Sequence, residues 1–398
     1  MIMVDITNIK TLAVIGAGTM GREIAQVALM SGIFEKIVLN DIDSGVLKNA
    51  LVFIENGLKK LEEKGKLVSG TPAADLMKVL FTENDLKKVV SDADFVIEAV
   101  PEFMELKQDL FKKLGEYAPE HAILATNTST MSITKIASTS GRDDRVIGMH
   151  FFTPIVVLRL IEVIKGQKTS DDTFEKCIAV GEKLPALKGR KFIAKINKES
   201  PGFIVNRLTV SSNLYLDWLL DEAVEKGIPF EAIDADIGSL PGMGPCARLD
   251  YLGLDIVYNA LKYFESEVSP DFAPGETLSQ RIKEGNLGRK TGYGLYEWKE
   301  GKPILKKVNG AGLFDPEMFL AIQLNEGCKL LEEGIVSGYK MIDDTMMAGM
   351  DMPGPFGAGK RNYQKWTKML EEFVEKSGIQ YLKPCNFMKS GEFLKMRK

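Results

Sequence analysis

Histidine is nearly absent from this chain: His121 and His150 are the two in 398 residues. Cysteine is almost as scarce, and the four present (Cys177, Cys246, Cys328, Cys385) are far apart, with no CxxC pair. That spacing excludes a zinc ribbon or a thioredoxin-like motif, and it reads as reduced thiols in an intracellular chain with no metal site. No basic block occurs, and 51 Lys and Arg against 55 Asp and Glu leave a net charge of −4. Neither nucleic acid nor an anionic membrane is therefore expected as a partner. No apolar run approaches the roughly 20 residues that span a bilayer. The first strand-like run starts near Lys10, so no signal or transit segment is expected, and the expected location is cytoplasmic. Apolar residues at 45% and charged residues at 27% fit a globular enzyme of two or three domains.

What is present begins with residues 11–21, TLAVIGAGTMG. A β-like run leads into Gly16-Ala17-Gly18-Thr19-Met20-Gly21, a helical pattern follows to Gly32, and a second strand, Lys36 to Asn40, ends at Asp41. Gly16 permits a tight turn, Gly18 lets backbone approach a pyrophosphate, and Gly21 lets helix and strand pack closely. The free N–H groups of the helix start suit phosphate. Asp41 can accept from a ribose 2′-hydroxyl and would repel a 2′-phosphate, which favours NAD over NADP. A bare GxGxxG is weak by itself; the flanking strand, helix and acid make it specific to a dinucleotide, with FAD an alternative to NAD from this element alone.

Further strand-like runs end at Pro101-Glu102, at Asn127-Thr128-Ser129-Thr130 and at His150. Strands alternating with helices predict a doubly wound parallel sheet, whose ligands lie beyond the carboxyl ends of the strands. Glu102, Ser129 and His150 all fall there. Glu162 sits inside the apolar run LRLIEVI, where an unpaired carboxylate costs several kcal/mol to bury. Pairing with His150 removes that cost, fixes the imidazole tautomer and leaves the other nitrogen outward as a base, as alcohol oxidation beside a nicotinamide requires. His121 precedes a strand at the opposite end and reads as a surface residue. The spacing predicts a charged helix over 44–66, whose Lys59, Lys60, Lys64 and Lys66 read as a solvated face or as a contact for a phosphorylated substrate.

Beyond Ile196 the pattern turns helical. Glu225-Lys226-Gly227-Ile228 returns as Glu332-Glu333-Gly334-Ile335, Ile233-Asp234 as Ile342-Asp343, and Gly244-Pro245 as Gly354-Pro355. The offset of about 107 to 110 residues indicates a second copy of one helical unit. The expected architecture is α/β, a Rossmann-type doubly wound sheet (1–197) followed by two tandem all-α domains (198–305, and a degenerate copy, 306–398).

The motifs GAGTMG, EAVPE, NTST, HFFTP, EVI, SPGFIVNR and GRKTGYGLY, in this order, resemble the 3-hydroxyacyl-CoA dehydrogenase family over residues 10–298. The resemblance implies NAD-dependent oxidation of (S)-3-hydroxyacyl-CoA, 3-hydroxybutyryl-CoA among the short chains, to 3-ketoacyl-CoA, reversibly. It places the catalytic histidine at His150, its orienting carboxylate at Glu162, a substrate-contacting serine at Ser129 and a substrate-holding asparagine at Asn206. Cofactor contacts fall on the glycine loop, Asp41, Glu102, Lys107, Asn127, Thr153 and Lys290, and a coenzyme A contact falls on Lys64. In HFFTP, Thr153 stands where the family usually has Asn, and Gly57 stands where relatives carry a CoA-contacting serine. Fused relatives carry two helical copies in one chain, which implies a monomer with an internal pseudo-dimer here. Leu313 takes the place of Asn206 in the second copy, so one active site per chain is expected. Longer relatives join this enzyme to an enoyl-CoA hydratase, which makes such a unit the expected protein partner. Two other functions fit parts of the sequence: a related sugar-acid or hydroxy-acid dehydrogenase without CoA, and a non-catalytic NAD-binding protein.

Overall fold

The computed structural model describes residues 4–67, 70–238 and 243–397. By internal contacts the chain divides into two units, Met1–Phe203 with Asp344–Pro353, and Ile204–Asp343 with Gly354–Lys398.

The first unit is built on an eight-stranded sheet: β1 Thr11–Ile15, β2 Lys36–Asn40, β3 Leu80–Glu83, β4 Phe95–Glu98, β5 Ile123–Thr126, β6 Val146–Phe151, β7 Leu160–Lys165 and β8 Phe192–Ile196. Their order is β8-β7-β6-β5-β4-β1-β2-β3. The first six strands run parallel, in the doubly wound order that reverses between β1 and β4. Strands β1, β4 and β5 are almost wholly buried, as a sheet covered on both faces requires. Helices α1 Thr19–Ser31, α2 Ser44–Glu63, α3 Met104–Tyr117 and α4 Asp171–Lys183 connect or follow the strands. Helix α2 ends at Glu63, short of the predicted Lys66, because Gly65 turns left-handed at φ 61°.

Strand β7 runs antiparallel to β6, and their register sets His150 opposite Glu162. This reversal after six parallel strands places Glu162, twelve residues downstream, at the same end of the sheet as the histidine. Residues 344–353 also belong to this unit. Arg159 N donates to Ala348 O at 3.2 Å, Lys188 pairs with Asp351, and Gly349 leaves the room that Leu160 fills.

The second unit is mainly helical: α5 Val205–Glu225, α6 Pro245–Leu252, α7 Leu254–Glu267, α8 Glu276–Lys283, α9 Pro316–Glu332, α10 Tyr339–Met350, α11 Phe356–Ser377 and α12 Asn386–Ser390, of which α10 runs on into the 344–353 segment. Buried Arg207 of α5 donates to Glu326 of α9 at 2.7 Å and to both carboxylate oxygens of Glu333. The two repeated segments share one device. Asp234 Oδ1 accepts the Cys246 N–H at 2.7 Å, and Asp343 Oδ1 accepts the Phe356 N–H at 3.0 Å. In both, the glycine of the Gly-Pro pair leaves its side-chain space to that carboxylate.

Candidate active site

The glycine turn follows β1. Gly16 lies at φ 95°, and a Cβ there would come within 2.7 Å of Ala99 O; one on Gly21 would strike Gly16 O. Around Gly18, by contrast, a Cβ would meet nothing within 4 Å among the described residues. No side chain among the described residues caps α1, and its first turn carries no acid. Open space and unclaimed N–H groups at a helix start fit a pyrophosphate. Asp41 Oδ2 accepts the Ala17 N–H at 2.9 Å and Oδ1 accepts from Asp43 N at 3.0 Å, so the acid is fixed against the turn it would serve. These residues fit a dinucleotide.

The EAVPE motif supplies two acids with different tasks. Glu98 is fully buried and accepts from Lys107 Nζ at 2.6 Å, Thr126 Oγ1 at 2.6 Å and Val100 N at 2.7 Å. Glu102 accepts from Thr128 Oγ1 at 2.5 Å and Ser129 N at 2.7 Å, and pairs with Lys107 at 3.1 Å. Burial opposes the charge on Lys107, but Glu98 and Glu102 outweigh it and hold its pKa above the ordinary lysine value. Lys107 is thus a buried brace for the Ser129 turn, its ammonium held by these two carboxylates and by Val100 O at 3.4 Å.

His150 lies near the end of β6, buried. Its Nδ1 is 2.8 Å from Glu162 Oε2, and Glu162 is 0% exposed. Phe152 and Phe203 flank the ring, at centroid distances of 4.3 and 5.9 Å. Asn127 Oδ1 accepts the Phe151 N–H at 2.9 Å, tying the loop after β5 to the residue beside the histidine. A carboxylate oxygen facing Nδ1 selects the tautomer with its proton on Nδ1, and in the neutral imidazole that tautomer leaves the Nε2 lone pair outward.

Thr153 does not stand free. Its hydroxyl donates to Glu23 of α1 at 3.0 Å, and the same carboxylate accepts the Ile155 N–H at 2.7 Å. Lys191 grips this loop from the other side, donating to Ile155 O at 2.6 Å and Leu158 O at 2.8 Å. Burial pushes the Lys191 ammonium down to about 7, against the pull of Glu23. Neither Glu23 nor Lys191 is marked by a motif. At Gly57, a Cβ would come within 2.7 Å of the Gln26 amide, so Gln26 occupies the space a serine would need. Lys64 is exposed at the C-terminal end of α2. His121 is exposed and bonds Asp94 at 2.8 Å. Asn206 and Lys290 belong to the second unit, Asn206 half-buried in the first turn of α5 and Lys290 exposed and paired with Asp255 at 2.5 Å. Among the described residues no helix is long and apolar enough to cross a membrane.

The family model described as 3-hydroxyacyl-CoA dehydrogenase, NAD binding domain, matches residues 11–188, and that of the C-terminal domain matches 202–298. A 3-hydroxybutyryl-CoA dehydrogenase of Clostridioides difficile is 36% identical over 302 residues, covering 73% of this chain and 99% of the relative. The mitochondrial hydroxyacyl-coenzyme A dehydrogenase of Homo sapiens is 37% identical over 305 residues, covering 73% of this chain and 92% of its own length. The crystal structure of 3-hydroxybutyryl-CoA dehydrogenase from Escherichia coli K12 superposes with a TM-score of 0.80 at 26% identity, over 97% of this chain and 99% of that one. That match extends past residue 298, where the family models stop. The chain belongs to the 3-hydroxyacyl-CoA dehydrogenase family.

Proposed function

We propose that this chain catalyses the reversible, NAD-dependent oxidation of a short-chain (S)-3-hydroxyacyl-CoA, such as 3-hydroxybutyryl-CoA, to the 3-ketoacyl-CoA. The observation that carries this reading is the buried His150–Glu162 pair, 2.8 Å apart at the ligand end of a dinucleotide-type sheet. The names of the bacterial relatives support the short chain. When bound, NAD supplies the hydride acceptor. His150 Nε2 takes the hydroxyl proton as hydride leaves the substrate's C3, and Glu162 stabilises the imidazolium that forms. Ser129, whose backbone Glu102 fixes, offers its hydroxyl to the reacting oxygen. In the reverse direction the imidazolium returns the proton to the carbonyl oxygen. The substrate-holding role of Asn206, the CoA contact of Lys64 and the cofactor contact of Lys290 rest on the family resemblance.

NADH oxidation with acetoacetyl-CoA, followed by nicotinamide absorbance, tests the reading. Turnover with the thioester and NADH, and little with free acetoacetate or NADPH, is expected. Equal turnover of free acetoacetate would overturn the CoA assignment.

The segment 306–398 is a degenerate second copy of 198–305 in this reading, and stands in for a partner subunit's helical domain. The matched Asp234 and Asp343 caps and the Arg207–Glu326 link between α5 and α9 support it. The protein alone is expected to be a monomer by light scattering, and to associate with an enoyl-CoA hydratase unit when one is supplied. A tight homodimer built on the first helical copy would refute the pseudo-dimer.

A further inference from the structure

Cys328 and Cys385 are separated in sequence by α10 and α11 and brought together by one side chain. Asn325 of α9 donates from Nδ2 to Leu382 O at 3.2 Å and Lys383 O at 3.1 Å, and its Oδ1 accepts the Cys385 N–H at 2.9 Å. The Cys385 thiol lies 3.8 Å from Asn325 O. Cys328 follows Asn325 by three positions and so shares its helix face. Cys385 thus packs, through its N–H and its thiol, on the face of α9 that carries Cys328 one turn along. Their environments differ. Cys328 is 0% exposed, whereas Cys385 is half-buried. The hydrogen bond from Cys328 holds the Cys385 thiol below the ordinary range, against its partial burial and with help from the Met388 N–H. Burial pushes the Cys328 thiol up. A half-buried, more acidic thiol near a fully buried one is the arrangement of an attacking and a resolving cysteine.

We propose that Cys328 and Cys385 are a redox modification site, closed to a reversible disulfide by hydrogen peroxide. The Cys385 thiolate attacks one peroxide oxygen; the S–O bond forms, the O–O bond breaks, and the departing hydroxide takes up a proton to leave as water. Cys328 then attacks the sulfenic sulfur, giving up its proton. The S–S bond forms, the S–O bond breaks, and a second water leaves. Two thiols are oxidised and one peroxide is reduced, with no other reactant. The link fastens the last segment of the chain to α9. Tyr381 of that segment already donates to Glu326 at 2.7 Å, beside the bond from Arg207.

The test treats reduced, full-length protein with stoichiometric hydrogen peroxide, alkylates the remaining thiols, and maps the peptides by mass spectrometry. A Cys328–Cys385 linked peptide that dithiothreitol releases is expected, with Cys177 and Cys246, both buried, still alkylated after denaturation. The unfolding midpoint should rise by roughly 5–10 °C on oxidation. Cys385→Ser should abolish the link and leave Cys328 reduced, with turnover of the reduced enzyme unchanged. Cys328→Ala should instead let a sulfenic acid accumulate on Cys385, trapped by dimedone. Cys385 of the wild type passing directly to sulfinic acid, or both thiols remaining reduced while free glutathione is oxidised, would overturn the proposal.

Discussion

Glu162→Gln removes a charge and little else. The β6–β7 ladder sets His150 opposite Glu162 through backbone, so the strand pairing does not depend on the side chain. Glutamine has the same length and can occupy the same fully buried position. If its oxygen faces Nδ1, the tautomer is kept but the imidazolium loses its counter-charge. At about 4 Å between charge centres and an effective dielectric near 20, that interaction is about 4 kcal/mol, or about 10³-fold in rate. If its NH₂ faces Nδ1 instead, the proton moves to Nε2 and the base is lost, a defect of up to about 10⁴-fold in an analogous triad. The expected result is a fall in kcat of roughly 10³–10⁴-fold with acetoacetyl-CoA and NADH. The Kd for NADH, from fluorescence titration, should stay within about twofold, since the glycine turn lies on β1 and α1. A folded variant whose kcat stays within about tenfold would refute the orienting role. A Kd weakened in proportion to kcat would mean that Glu162 supports the sheet rather than the reaction.

Asp41→Ala should weaken NADH binding and narrow the preference over NADPH; because Asp41 also holds the Ala17 N–H, both cofactors should lose some affinity, and an unchanged ratio would show that the acid does not read the ribose. Lys107→Met leaves the buried Glu98 carboxylate without its ammonium partner at 2.6 Å and is expected to cost about 3–5 kcal/mol in urea unfolding; a loss below about 1 kcal/mol would refute the brace. Burial pushes the Asp217 carboxyl up to about 7, against the Gly275 N–H and with Asp221 adding to the rise. The native state therefore binds a proton there that the unfolded chain, with a pKa near 3.8, releases. The stability this gives is complete below the unfolded pKa and is lost as pH rises through about 7. Asp217→Asn keeps an acceptor for Gly275 N (2.7 Å in the native protein), and should gain on the order of 2–4 kcal/mol over wild type between about pH 4 and pH 8. A difference that stays flat with pH would remove Asp217 as the cause.

Much of the first unit was legible because its requirements are local. TLAVIGAGTMG reads as strand, turn and helix since only glycine tolerates φ 95° at residue 16 and the close approach at residue 21. A carboxylate inside LRLIEVI had to find a partner, and among two histidines His150 was the one at the ligand end. The Ile-Asp and Gly-Pro pairs recur in sequence, and in both places the aspartate accepts a backbone N–H of the helix that follows the Gly-Pro pair.

Contacts between distant segments were not legible. Glu23 sits one turn into the nucleotide-binding helix, and nothing around it in sequence says that the loop at 153–155 will dock on its carboxylate. Lys191 reads as one more surface lysine until the chain closes over it. The membership of residues 344–353 in the first unit, the clasp of Arg207 by Glu326 and Glu333, and the docking of Cys385 on Asn325 are of the same kind. Sequence by itself determined what steric freedom, helix capping and the cost of burying charge impose within a few residues or within one apolar run. The pairings across tens of residues to well over a hundred were decided only when the core packed, because a polar group's energy depends on which partner burial brings to it, and that is a property of the folded chain.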